Sequence, residues 1–370
     1  MKKETSQVAS ELIERLDSHL DDERIGNPFF PERGVLPFPL TPSGFKIVQR
    51  LDSDKKMAFV DGGNQEILGA PNFSVQLNRV YFGVWNGNTR VPERSIPKRI
   101  EFFAATFSDF DRGEIEYNTR LIALSDEETT LPRERDLSFS SMDRSITVGN
   151  QRADIYRVGS ISRRFSELVL AKSVVENELD PGDVIVLDGT LQTAFPNEYG
   201  YLDELSQAAQ KKGVILAGLS KTSALFTDTG YSLLGALDKL SAEKGITSEW
   251  YYPIADGTSK DHFVFILGVK LNAISERIFR LEIQRDQFLS LDERELNEML
   301  TQLVRNSADY TFPGYPYGLI DADRFARVTS SEREHYFAIL RSQMAAMGKW
   351  EKFYRYVKAT DAHNVLNKLG

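Results

Sequence analysis

The sequence predicts an α/β fold, a mixed β-sheet flanked by helices, with an additional β-meander and C-terminal helices. Three observations carry this expectation. The runs 183–187 and 213–219 are short and almost wholly apolar, the pattern of strands buried on both faces. Extended runs at 57–60, 75–85 and 100–107 precede them. Stretches with apolar residues at steps of three and four separate and follow these runs, which is the repeat of helices packed on a sheet.

The elements follow in order. Residues 6–20 read as an amphipathic helix, with Val8, Leu12, Ile13, Leu16 and Leu20 on one face. A Pro- and Phe-rich stretch, 27–42, breaks helices and lies across a surface. Met57-Ala58-Phe59-Val60 is a short strand ending on Asp61-Gly62-Gly63, and Asn86-Gly87-Asn88 closes the second run with turn chemistry. The polar stretch 125–150 reads as an insertion or loop. Residues 162–179 form a helix stopped by Asp180-Pro181-Gly182, and the strand after it ends in Asp188-Gly189. A helix at 198–212, a strand running into Ser220-Lys221-Thr222 and a helix at 231–244 come next. The meander occupies 250–254, 263–269 and 278–283. Helices at 291–306, capped by Ser290 and Glu293, and at 330–347 flank an aromatic loop, Phe312-Pro313-Gly314-Tyr315-Pro316-Tyr317. The expected organisation is an N-terminal extension at 1–56, a core at 57–330 with an insertion at about 125–158, and C-terminal helices at 331–370.

Composition narrows the chemistry. Of 370 residues, 41% are hydrophobic and 27% charged, a globular balance. There is no cysteine, which excludes disulfides, thiolate zinc sites, iron–sulfur clusters and cysteine nucleophiles. The four histidines are scattered and form no HxxxH pair, so a catalytic site is expected to be built from carboxylates. No apolar run of about eighteen residues and no signal-peptide core is present, so a cytoplasmic protein is expected. Forty-five Lys and Arg against 54 Asp and Glu leave a net charge of −9, which argues against non-specific nucleic-acid binding and demands that any DNA contact be focused.

Asp61 and Asp188 each close a short apolar run and precede glycine. A carboxylate at the C-terminal end of a strand points into the crevice where α/β sheets bind ligands, and glycine leaves room for a metal or phosphate. If the two strands are neighbours, the carboxylates meet. With no buried Lys or Arg between them they repel, and a divalent cation is the usual remedy. Each Asp-Gly alone reads first as a turn, the commonest meaning of that pair after an apolar run. Glu167 lies on the helix that feeds the second strand, which opens with Arg163-Arg164. Basic residues in a first turn oppose the helix dipole, a local conflict of the kind found at functional sites. The plainer reading is a solvated Arg163–Glu167 pair.

Val60-Asp61-Gly62-Gly63, the Arg-Arg-x-x-Glu helix, Leu187-Asp188-Gly189-Thr190-Leu191, Gly218-Leu219-Ser220-Lys221-Thr222 and Gly314-Tyr315-Pro316-Tyr317 occur in one order. That order resembles the NurA nuclease family, with a core of RNase H-like fold, over about residues 57–327. The resemblance implies a Mn²⁺- or Mg²⁺-dependent DNA nuclease with a two-metal site, a 5′–3′ exonuclease or single-strand endonuclease. It would act in DNA end resection or defence as a homodimer working with HerA, a hexameric ATPase. Carried across, Asp61, Glu167 and Asp188 are the metal-binding acids, and Lys221 faces the same crevice, where it holds a phosphate. Asp323 stands where the family pattern has a histidine; as an oxygen ligand it still suits Mg²⁺ or Mn²⁺. Arg163, Arg164, Lys221, Tyr315 and Tyr317 are the expected nucleic-acid contacts, although both tyrosines could equally pack the C-terminal helices onto the sheet. The alternative is a non-catalytic dimeric DNA-binding adaptor of a ring ATPase.

Overall fold

The structure, a computed structural model, describes residues 4–18, 25–111, 113–125 and 131–358. Helix α1 (Thr5–Asp17) opens the chain and buries none of its residues. Leu20, the last member of its expected apolar face, lies outside the described residues, as does the end of the expected C-terminal helices beyond residue 358. The Pro/Phe-rich stretch supplies short strands β1 (Pro28–Phe29), β2 (Val35–Pro37) and, just beyond it, β3 (Lys46–Ile47). The core then begins with β4 (Met57–Ala70), β5 (Phe73–Asn86), β6 (Thr89–Val91), β7 (Arg99–Asp111), β8 (Glu114–Ala123) and β9 (Ser138–Ser140). Helix α2 (Ile155–Asn177), β10 (Val184–Asp188), α3 (Glu198–Lys212), β11 (Ile215–Ser220), β12 (Phe226–Thr227) and α4 (Leu233–Glu243) follow. The meander is β13 (Trp250–Gly257), β14 (Val264–Lys270) and β15 (Phe279–Gln284). Helices α5 (Arg285–Ser290), α6 (Glu293–Asn306), α7 (Tyr317–Ala326) and α8 (Ser330–Ala346) complete it.

Among the described residues, thirteen strands form one mixed sheet in the order β2-β13-β14-β15-β11-β10-β4-β5-β7-β8-β9, with β3 on β13 and β6 on β5. Only β4–β10 and β10–β11 pair in parallel. The central order β7-β5-β4-β10-β11 has three antiparallel strands followed by two parallel ones, joined through α2 and α3, as in an RNase H-like core. Side chains alternate between two apolar layers. Ala58, Val60, Ile185 and Leu187 pack under α2 and α3 with Phe165, Leu168 and Leu205. Met57, Phe59, Val184 and Val186 pack under α6 and α7 with Leu300, Leu303 and Leu319. No helix among the described residues is long and apolar enough to cross a membrane.

Four local expectations change. Strand β4 does not end at Asp61: it continues for nine more residues, paired with β5 from Met57↔Trp85 to Ala70↔Phe73. Asp61-Gly62 is therefore no turn, because the antiparallel partner continues past it. Helix α2 starts at Ile155, capped by Asp154, since Ile155, Val158 and Ile161 extend the apolar stripe backwards. Arg163 and Arg164 thus sit about two turns inside it, and the expected conflict with the helix dipole disappears. The cap of α6 is the reciprocal box Asp292/Glu295 rather than Ser290/Glu293. Strand β8 and helix α7 were not foreseen. Between them, residues 131–150 bury Leu137, Phe139 and Ile146, so this stretch packs on the sheet edge through β9.

Candidate active site

The parallel partner β10 pairs with β4 only as far as Leu187↔Val60. Beyond that point β4 is held by β5 alone, and the sheet splits into a crevice at Asp61 and Asp188. The Gly62 N–H, which has lost its strand partner, is satisfied by Asp61 Oδ1 at 2.7 Å. Gly62 and Gly63 then let two helices approach from opposite faces. A methyl on Gly62 would overlap Glu167 Oε1 of α2, and one on Gly63 would overlap the Ala326 carbonyl of α7. These glycines are required for close approach, not for a turn.

Helix α7 brings Asp323 to the crevice. Asp321, two residues earlier and about 200° round the helix, points away. It accepts from Tyr81 Oη at 3.4 Å and Arg90 Nη1 at 3.2 Å beneath the sheet. Gly318 seats α7 against the strand, where a methyl would overlap the Phe59 ring.

Asp61, Asp188 and Asp323 each offer a carboxylate oxygen within 4.8 Å of the others. The expectation that no cation lies between the acids does not hold. Lys221, immediately after β11, places Nζ 2.8 Å from Asp188 Oδ2, 3.0 Å from Asp323 Oδ1 and 4.0 Å from Asp61 Oδ2. Burial, followed by the charges of Asp188 and Glu167, pushes the Asp61 carboxyl up to about 8, against the opposing pull of Lys221 and the Gly62 N–H. Burial works against the Lys221 ammonium, but its bond to Asp188 and the surrounding carboxylates outweigh this and hold it above its ordinary value. Burial would raise Asp323, yet hydrogen bonds from Lys221 and Arg327 keep it below the usual range.

Glu167 lines the same crevice, but its carboxylate pairs with Arg163 and, at 3.6 Å, with Arg164. It stands beside the cluster of three rather than inside it. Arg163 also donates to the Gly62 carbonyl at 3.1 Å. Arg164 donates to Glu198 at 2.8 Å and to the Thr190 carbonyl at 3.1 Å. The two guanidinium groups therefore brace α2, β4 and the loop after β10; their placement as nucleic-acid contacts is limited to what Arg163 leaves exposed at the crevice. Tyr315 is only 1% exposed and packs on Phe279 and Phe312, so its ring has no face for a base. Its hydroxyl donates to Asp188 Oδ1 at 3.1 Å. Tyr317 packs edge-on against Trp85, away from the crevice lining. Packing, not stacking on a base, is what both rings do here.

Sequence reading missed the residues that hold the loop after Asp188. Buried Glu282 accepts the Leu191 N–H at 2.7 Å and is flanked by His262 and Arg280. Buried Glu198 accepts the N–H groups of Ala194 and Phe195 at 2.8 and 3.1 Å. Glu282 sits between Leu281 and Ile283 with Arg280 two residues before it on the same face, which was the available signal: a charge buried in a strand needs partners.

The NurA domain family matches residues 55–328. Among solved structures, the chain is similar to the NurA nuclease from Sulfolobus solfataricus, at 14% identity over 94% of this chain and 96% of that one, with a TM-score of 0.53. It also matches Ciona intestinalis endonuclease V in complex with a 24mer DNA, at 14% identity, 76% and 90% coverage and a TM-score of 0.35. Aquifex aeolicus Argonaute matches at 8% identity, 74% and 28% coverage and a TM-score of 0.28. No curated protein matches the sequence.

Proposed function

The chain belongs to the NurA domain family, and from that premise we propose that it is a divalent-metal-dependent DNA nuclease acting at Asp61, Asp188 and Asp323. The observation that carries the reading is the convergence of these three carboxylates within 4.8 Å where the sheet splits. The donor set fits a hard cation: it is all oxygen, with no thiolate or imidazole, as Mg²⁺ or Mn²⁺ prefers. Such an ion, when bound, supplies Lewis-acid polarisation of a phosphoryl oxygen and a more acidic water.

The chain's own groups organise the rest. The Tyr315 hydroxyl holds one oxygen of Asp188 and turns the other toward the cluster. Gly62 fixes the Asp61 carboxylate through its N–H. Glu167, steadied by Arg163 and Arg164, adds negative charge behind Asp61 and strengthens the site's pull on a cation. Lys221 is the mobile positive group at the mouth and neutralises an incoming phosphodiester. Asp323 serves as an oxygen ligand in place of histidine, so proton transfer falls to water and not to an imidazole. In this reading the protein acts as a homodimer fed by a HerA-type hexameric ATPase, in DNA end resection or defence.

The test is hydrolysis of linear DNA by wild type and Asp61→Ala with Mg²⁺, Mn²⁺ or chelator. Cleavage should need the ion and fall by about 100-fold or more in the variant, the scale of losing a principal electrostatic group. Wild type that leaves linear DNA intact with either ion would overturn the nuclease reading and leave the adaptor reading.

A further inference from the structure

We propose that Lys221 is a tethered counter-ion: its ammonium holds the cation position of the metal-free site and withdraws into the same crevice when a divalent ion enters. The inference rests on the nuclease reading for the identity of the site. Its own basis is the placement of Nζ among the three carboxylates, 2.8 and 3.0 Å from two of them and 4.0 Å from the third. An ion ligated by these oxygens at about 2.0–2.2 Å would occupy the volume Nζ fills, and two cations cannot share it.

The surroundings make exchange feasible. Lys221 follows the last residue of β11, and its side chain is 36% exposed, in contrast to 10% for Asp61 and 17% for Asp188. Asp61 and Asp188 are fixed by strands and Asp323 by helix α7; the ammonium rides on a flexible four-carbon stem. The crevice, about 470 Å³, is also lined by Gly189, Thr190, Gln192 and Thr222, which leaves Lys221 room to turn within it. Metal entry thus breaks charged hydrogen bonds to Asp188 and Asp323 and leaves the ammonium without those partners, while Glu167 and Glu198 in the same crevice are already paired with Arg163 and Arg164. A phosphate of the substrate is the group that restores a partner. Ion and phosphate binding are then coupled positively, and by linkage each raises the affinity for the other. A permanent structural salt bridge would give no such coupling.

The experiment measures Mn²⁺ binding by calorimetry, with thermal melts, for wild type, Lys221→Met, Lys221→Gln, Lys221→Arg and Asp61→Asn. Both neutral variants should bind Mn²⁺ about tenfold more tightly than wild type, the factor expected from no longer breaking a charged hydrogen bond. Their metal-free forms should melt lower and gain more on adding Mn²⁺. Lys221→Arg should show no tightening. Saturating thymidine 3′,5′-bisphosphate should tighten Mn²⁺ binding several-fold in wild type and much less in Lys221→Met and Lys221→Gln. If Asp61→Asn abolishes binding while both neutral variants bind no tighter than wild type, the counter-ion inference is wrong and the metal site stands. If wild type binds no Mn²⁺, or Asp61→Asn binds as well as wild type, the nuclease reading falls and this inference with it.

Discussion

Burial and its acidic neighbours push the Asp61 carboxyl up to about 8, which favours its protonated form in the metal-free chain. The folded form keeps a proton that the unfolded form, with a carboxyl near 3.9, has lost. Metal-free stability should therefore decline as pH rises from about 4 to 8, and Asp61→Asn should remove most of that decline in pH-dependent melts. A cation must also displace the proton, so Mn²⁺ binding at pH 7 should release about one proton. Calorimetry in buffers of different ionisation enthalpy reads this directly; heats independent of buffer would refute it. Asp323→Ala should lower cleavage sharply, with partial recovery at high Mn²⁺, which tolerates an imperfect oxygen set. Near-normal cleavage in both metals would leave Asp323 as the partner of Lys221 and Arg327 alone. Asp61 and Asp188 were legible because an acid ending an apolar run is conspicuous. Lys221 was expected to face the same crevice, but its contact with all three carboxylates was not legible, because it depends on β4, β10, β11 and α7 meeting at one point, which no local pattern encodes.

Among the elements, α3 appeared in the sequence residue for residue, since Glu198 opens it and Gly213 closes it in the left-handed region. Helix α7 was hidden by its length, its flanking Pro-rich loop and a glycine near its start. That glycine is the contact that places the helix. Gly318→Ala should cost about 1–3 kcal/mol by overpacking against Phe59 and should reduce cleavage by moving Asp323, measured by denaturant unfolding and DNA hydrolysis together. An unchanged midpoint would show that the ring yields. Helix α8 is tied to the sheet by Glu332, which accepts from Arg79 at 2.7 Å while Arg79 also reaches Glu101 and the Arg327 carbonyl. The bond to Arg79, helped by Thr329 and opposed by burial, holds Glu332 down to about 2. A depressed carboxyl contributes stability that is fully present above its unfolded pKa of about 4.3 and lost as pH falls toward 2. Glu332→Gln should cost about 1 kcal/mol or less at pH 7, since the group is partly exposed, and the difference should vanish near pH 2. A pH-independent difference would mean that the capping hydrogen bonds, not the charge, hold α8.

At the scale of the whole molecule, the order of strands and helices was readable apart from elements such as β8 and α7, and the motif order pointed to the family that matches residues 55–328. The extent of the sheet was not readable. Joining the meander to the core through β11–β15 is a pairing between distant segments that leaves no mark in a local window, whereas β4 runs past Asp61 through a local hairpin with β5 that the Asp-Gly-Gly stretch disguised as a strand end. Net charge acts at this scale too. A chain at −9 should bind DNA weakly and in a salt-sensitive way, so a ring ATPase that delivers DNA should raise cleavage most at high ionic strength. Size-exclusion should show a dimer; a stable monomer that a HerA-type ATPase neither binds nor stimulates would contradict that partnership.

The uninterrupted hairpin of β4 and β5 has a consequence for the time scale on which the site opens. The amides of Asp61 and Gly63 belong to a ladder that runs on both sides of them, while residues 189–195 and 221–225 are loop segments. In native-state hydrogen exchange, the middle of β4 should be released only with global unfolding, whereas the stretch at 221–225 that carries Lys221 should exchange through local opening at much lower free energy. The site would then pair an immobile acid with a movable ammonium, and slow deuterium uptake at 57–66 alongside fast uptake at 221–225 would be its signature.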